Sequence, residues 1–96
     1  MKRYAARYTT EAGRQIKKLH PQIKSLIRSA IDELSENPFI GHELQFELKG
    51  FRSKKVKRYR IIYQVNEEGP SIDVYYIGHR RDIYESFRHL LQSRLK

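Results

Sequence analysis

Across residues 21–36, "PQIKSLIRSAIDELSE", the apolar side chains Ile23, Leu26, Ile27, Ala30, Ile31 and Leu34 recur at i, i+3, i+4, i+7, i+8 and i+11. That spacing lays one continuous apolar stripe along an α-helix. It is the strongest periodic signal in the chain, and it stops at "NP", Asn37 and Pro38. Pro21 suits the first helical position, where its missing N–H costs nothing. After the loop "FIGH" the period changes to two. Leu44, Phe46 and Leu48 alternate with Glu43, Gln45, Glu47 and Lys49, which predicts a strand with one buried face. A helical period before Pro38 and a strand period after it predict an α+β fold, with helices covering one face of a sheet.

The flanking segments fill in this plan. "KRYAARY", residues 2–8, reads as a first strand, and Thr9 then offers an N-cap with Glu11 in the first turn of a helix over 10–19. That helix ends at "HP", because the residue before a proline is pushed out of the helical region. Gly50 closes the alternating segment. Strands are predicted over 52–57, over 59–65 ("YRIIYQV", a β-branched and aromatic run) and over 72–77 ("IDVYYI"), with "NEEGPS" as a turn. Ile83, Phe87, Leu90 and Leu91 describe a short C-terminal helix, and Asp82 with Glu85 has the spacing of a capping box for it. The expected architecture is two N-terminal helices packed on one face of a mainly antiparallel sheet. With no repeat, linker or low-complexity tract, residues 1–96 read as one domain with a single modest core.

Charge narrows the function. Lys and Arg number 20 against 11 acidic residues, a formal net charge of +9, which suits a polyanionic partner. The excess is uneven: residues 1–50 carry 9 basic and 6 acidic side chains, residues 51–96 carry 11 and 5. The absence of cysteine excludes a disulfide framework and a thiolate zinc site. With no apolar leader and no run long enough for a bilayer, a cytoplasmic protein without a membrane partner is expected. His20, His42 and His89 lack carboxylates at ligand spacing, so neither metal nor other cofactor is expected. No Gly-rich phosphate loop or nucleophile elbow is present.

Six of the nine residues in "RSKKVKRYR", 52–60, are Lys or Arg and none is acidic. One reading is a solvated edge strand whose lysines block aggregation. The other is a nucleic-acid surface, in which tyrosines stack on bases while Arg52, Lys57, Arg58 and their neighbours follow phosphates. Arg60, opening a strand beside this basic hairpin, is a candidate phosphate clamp. "IGHRRDIYESF", 77–87, adds His79, Arg80, Arg81 and Tyr84 within a few positions. Metal-free RNA cleavage needs a base for the 2′-hydroxyl, cations for the charge building on the phosphate and an acid for the leaving oxygen. Arginine can serve only the second role, which leaves Tyr84, His79 or a lysine to move protons. Tyr84 also reads as a core aromatic beside Ile83.

"YTTEAGRQIKKL", "IDELSENP", "LKG", "YRIIYQV" and "IGHRRDIY" each resemble, in order, a segment of the RelE/ParE superfamily of toxins from bacterial and archaeal toxin–antitoxin systems. "GFRSKKV" also resembles the YoeB branch. The resemblance implies a small α+β toxin neutralised by a cognate antitoxin protein. It further implies a metal-independent, ribosome-dependent endoribonuclease acting on A-site mRNA in the RelE branch, or a DNA gyrase poison in the ParE branch; "GHRRDIY" favours the nuclease. Carried over by residue, the catalytic set is Arg60, Arg80 and Tyr84 with Lys54 or Lys55, and His79 and Arg81 join the RNA-binding residues. The segment from Gly78 to Tyr84 is shorter than the familiar RelE pattern, so Arg81 is an alternative to Arg80. An ungapped count back from Arg60 puts Ser53 at an expected lysine position, and only a shifted hairpin register brings Lys54 or Lys55 there.

Overall fold

The computed structural model describes residues 3–79 and 81–94. Arg80, and residue 2 of the expected first strand, lie outside the described residues. The chain runs β1 (Ala5–Tyr8), α1 (Thr10–Lys18), α2 (Pro21–Glu36), β2 (His42–Glu43), β3 (Arg52–Val56), β4 (Tyr59–Asn66), β5 (Ser71–His79) and α3 (Ile83–Arg94). The sheet order is β1-β5-β4-β3-β2. β1 pairs parallel to β5 and the other ladders are antiparallel.

The helix starts follow from their caps. Thr9 Oγ1 accepts from the Ala12 N–H at 3.1 Å and donates to the Tyr75 carbonyl at 3.1 Å, which ties the start of α1 to the sheet. His20 caps α2 by accepting from the Gln22 N–H through Nδ1 at 3.2 Å, and Pro21 follows it. On α2 the apolar stripe delivers Ile27, Ala30, Ile31 and Leu34 to a core shared with Ala12 of α1 and with Ile61, Tyr63, Ile72, Val74 and Ile77 of the sheet. On β4 these side chains share one parity, as period-two geometry requires, whereas on β5 the parity changes between Val74 and Ile77, where the register shifts.

The opposite sheet face is covered as well, which corrects the expectation of a sheet covered on one face only. Ile83 and Phe87 of α3 are buried against Ile62 of β4 and Leu48. A bulge makes room for them. The β4–β5 register pairs Ile62 with Tyr76 but Tyr63 with Val74, skipping Tyr75. Two consecutive tyrosines thus reach the α3 face, with ring centroids 6.3 Å (Tyr75) and 5.7 Å (Tyr76) from that of Phe87.

The strand expected over residues 44–48 is also corrected. Phe46–Leu48 is a 3₁₀ turn, and only the two-residue β2 precedes it. Leu44 N–H donates to the Phe51 carbonyl at 2.9 Å, so the segment between them closes on itself. Of the alternating residues, Leu48 is buried while Phe46 is 88% exposed. Phe46 adopts φ 57 and Gly50 φ 99, both left-handed conformations that break an extended strand.

Candidate active site on the α3 face of the sheet

The β3–β4 hairpin turns tightly on Lys57 and Arg58, with Val56 paired to Tyr59. This unshifted register settles which basic residues share a face, because directly paired residues project to the same side. Lys55 pairs with Arg60 and Ser53 with Ile62, and Ile62 packs under α3. Lys55, Ser53 and Arg60 therefore share the α3 face. Lys54 pairs with Ile61 on the α1–α2 face, where its Nζ lies 3.2 Å from Glu33 of α2.

Tyr84 comes to this face from the first turn of α3. The helix starts directly after Asp82, whose carbonyl accepts from the Ser86 N–H at 2.9 Å. Ile83, 1% exposed, and Phe87, 0% exposed, hold that turn to the sheet. Tyr84, between them, is half-buried. Its hydroxyl lies 3.1 Å from Ser53 Oγ, and the Arg60 guanidinium carbon lies 5.9 Å from its ring centroid. The interior-aromatic reading of Tyr84 thus accounts for its ring, and the reactive reading concerns its hydroxyl. An arginine above a phenol ring gains from the negative π face. A guanidinium, a lysine on the neighbouring strand and a phenol together offer positive charge and a proton donor at one open surface.

The other basic residues singled out from sequence lie elsewhere. Arg52 pairs with Tyr63, and its guanidinium carbon sits 5.1 Å from the Phe39 ring centroid. His79 pairs with Tyr59, whose ring it meets edge-on at 5.8 Å. Because Tyr59 packs on the α1–α2 core, His79 leaves the sheet on the side opposite Arg60. Lys57 and Arg58, at the hairpin tip, line an apolar recess of about 370 Å³ with Ile23, Leu26 and Tyr59. Arg81 is exposed in the turn before α3. Arg80 lies outside the described residues, so the choice between it and Arg81 is open. Among the described residues no three His, Cys, Asp or Glu side chains cluster as a metal site, and no helix is long and apolar enough to cross a membrane.

Ser53 is the residue that the sequence reading undervalued. It is fully buried and paired on both sides, to His42 of β2 and Ile62 of β4. The ungapped count from Arg60, which puts Ser53 at an expected lysine position, was the available signal, and it did not indicate that a helix would bring Tyr84 to it.

Comparison with known proteins agrees with this architecture. Residues 6–84 match the model of the ParE toxin of the type II toxin–antitoxin system parDE. Toxin RelG of Mycobacterium tuberculosis is 35% identical over 83 residues, covering 84% of this chain and 95% of that protein. A chain in the crystal structure of the toxin–antitoxin complex RelBE2 from the same organism superposes with a TM-score of 0.74 at 32% identity, covering 81% of this chain and 99% of that one. A mutant of Escherichia coli toxin RelE in its free state shares the fold, with a TM-score of 0.78 at 20% identity over 98% of this chain and 99% of that one. The chain thus belongs to the ParE toxin family, within the RelE/ParE superfamily, and is the toxin component of a type II toxin–antitoxin system.

Proposed function

We propose that the protein is a metal-independent endoribonuclease that cuts mRNA in the ribosomal A site and so inhibits translation. The observation that carries this reading is the meeting of Arg60 with Tyr84, 5.9 Å from guanidinium carbon to ring centroid, on the face that also bears Lys55. In the reaction the 2′-oxygen bonds to the adjacent phosphorus as its proton passes to water. The bond from phosphorus to the 5′-oxygen breaks, and that oxygen takes the Tyr84 proton, leaving a 2′,3′-cyclic phosphate. Arg60 and Lys55, with Arg80 or Arg81, offset the charge that grows on the phosphate oxygens. Tyr84 then regains a proton from solvent. Among the described residues the Tyr84 hydroxyl meets Ser53 and its ring meets Arg60, with no carboxylate or histidine partner for stronger acid–base work, so the ribosome's part is to present the strand already positioned.

A free nuclease of this kind would harm its host, and the RelBE2 relative from Mycobacterium tuberculosis was crystallised as a toxin–antitoxin complex. The cognate antitoxin is therefore a small protein whose acidic or amphipathic segment neutralises this basic surface in the cytoplasm. Co-expression with the product of the adjacent gene tests it: the two proteins co-purify, and a neighbour that neither binds nor protects removes the support.

A second reading rests on the match of residues 6–84 to the ParE family, namely a toxin that poisons DNA gyrase. Primer extension on mRNA from cells expressing the toxin, run beside a gyrase supercoiling assay, separates the two. Cleavage within codons with supercoiling unaffected is expected. Intact mRNA with supercoiling blocked would reverse the assignment.

A further inference from the structure

We infer that Ser53 is a positioning residue for Tyr84, donating its hydroxyl hydrogen to the phenol oxygen so that the tyrosine's own hydrogen stays free to face the substrate. The inference rests on the endoribonuclease reading above for its consequence, and on geometry alone for the contact. Ser53 is 0% exposed, and its Oγ lies 3.1 Å from the Tyr84 hydroxyl. Among the described residues that hydroxyl is the partner Ser53 Oγ has, and no buried side-chain oxygen or nitrogen is left without one. A buried hydroxyl hydrogen needs an acceptor. In this pair the acceptor is the Tyr84 oxygen, which leaves the Tyr84 hydrogen as the one that can point away.

Tyr84 is the member of the pair that reaches solvent, being half-buried where Ser53 is not. The serine cannot follow the tyrosine if it drifts, since its strand is paired to β2 on one edge and to β4 on the other. Nor is α3 free to slide, with Ile83 and Phe87 buried on either side of Tyr84. One rigid donor therefore holds the phenol oxygen at a set point above the sheet. When Tyr84 gives up its proton, the same donor faces a phenolate, and a hydrogen bond to a charged oxygen is about twice as strong as one to a neutral oxygen. Ser53 thus favours the step more than the resting state, the condition for a contribution to rate.

The test uses the full-length toxin and ribosomes programmed with a defined mRNA codon, under single-turnover conditions. Ser53→Ala is expected to slow cleavage at saturating enzyme by about tenfold or more, with the half-saturating concentration unchanged. Ser53→Thr restores the rate. In the Tyr84→Phe background, Ser53→Ala costs nothing further, because its route of action has been removed. A wild-type rate for Ser53→Ala, or a full additive loss in the double variant, overturns the inference. The contact is also read without activity, from the Tyr84 ¹³Cζ resonance of the labelled protein. That resonance moves in Ser53→Ala and returns in Ser53→Thr, and an unmoved resonance overturns the inference even if every rate falls. A wild-type toxin that leaves mRNA intact overturns the endoribonuclease reading instead, and the resonance still decides the contact.

Discussion

Lys54 and Lys55 are adjacent in the chain and leave β3 on opposite faces of the sheet: Lys54 Nζ lies 3.2 Å from Glu33 of α2, whereas Lys55 pairs across the ladder with Arg60 on the α3 side. The two lysines are equivalent by composition and different by face. Under the proposed mechanism Lys55→Ala slows A-site cleavage by roughly tenfold or more, as loss of a charge stabiliser at the phosphate does. Lys54→Ala leaves the rate within about threefold and lowers stability by no more than about 1 kcal/mol, the usual worth of a partly exposed ion pair. Cleavage rates and urea denaturation of the two variants check this, and equal rate losses would count against the assignment of faces to roles.

Arg60 and Tyr84 should separate by the kind of loss they cause. Arg60→Ala removes a positive charge at the point where charge develops, and a loss on the order of 10²-fold in cleavage is expected. Arg60→Lys recovers only part of it, because a point charge does not replace a planar two-pronged donor. Tyr84→Phe keeps the ring beneath Arg60 and removes the proton. Its expected signature is a fall in the single-turnover rate with ribosome binding unchanged, measured by sedimentation with 70S particles. A Tyr84→Phe variant that cleaves at the wild-type rate would remove the phenol from the chemistry.

Much of the fold was legible because its signals are local. The α2 stripe, Thr9, Pro21 and the β-branched run of β4 each act through neighbours a few residues away, so period and cap chemistry locate them. Residues 44–48 misled because the period of apolar residues does not register backbone conformation. Their alternation is genuine in sequence, yet the closure of Leu44 on Phe51 and the left-handed φ of Phe46 and Gly50 leave a loop there. The sharing of the Lys55, Arg60 and Tyr84 face was legible only in part. Strand parity gives the first two once the hairpin turn is known, whereas Tyr84 reaches the face by packing of Phe87 among Phe51, Tyr75 and Tyr76. Nothing in local spacing announces the bulge that turns both tyrosines to that side.

Tyr63 links the core to the loop before β2. Its hydroxyl donates to the Pro38 carbonyl at 2.7 Å and accepts from the Gly41 N–H at 3.2 Å. A Cβ on residue 41 would collide with that hydroxyl and lie 2.8 Å from the Ser53 carbonyl, so glycine is required by close approach. Burial is the main cause holding the Tyr63 hydroxyl above the 10.0 of a free tyrosine, with the Gly41 hydrogen bond and the charge of Arg52 pulling the other way. The unfolded chain therefore releases this proton at a lower pH than the fold does. The resulting stability is present in full below about pH 10 and is lost as pH rises through the folded value. Tyr63→Phe should cost about 1–3 kcal/mol at neutral pH, from two groups left without a partner. It should also make the loss of stability above pH 10 shallower, with Tyr8, raised in the same direction chiefly by burial, keeping a remainder. Urea midpoints from pH 7 to 11 provide the measurement, and parallel curves for the two proteins would contradict it.

Phe87 should couple stability to activity without touching substrate. It is fully buried, with its centroid 5.0 Å from that of Phe51 and the rings of Tyr75 and Tyr76 close by. Replacement by alanine is expected to cost about 3–5 kcal/mol, the usual range for emptying an aromatic site. Ile31 makes the right control. It is 2% exposed in the core between α2 and the sheet, and its replacement by alanine should cost about 2–5 kcal/mol, an overlapping range. The two cores lie on opposite faces. Loss of Phe87 loosens α3 and with it the Tyr84 hydroxyl above Ser53, whereas loss of Ile31 leaves that contact in place. At a temperature where both variants remain folded by circular dichroism, Phe87→Ala should cleave A-site mRNA at least tenfold more slowly than wild type, since a displaced reacting group costs rate steeply. Ile31→Ala should stay within about threefold of wild type, because sites far apart with no shared partners act independently. Equal losses in the two variants would mean that global stability, and not the seating of α3, governs the rate.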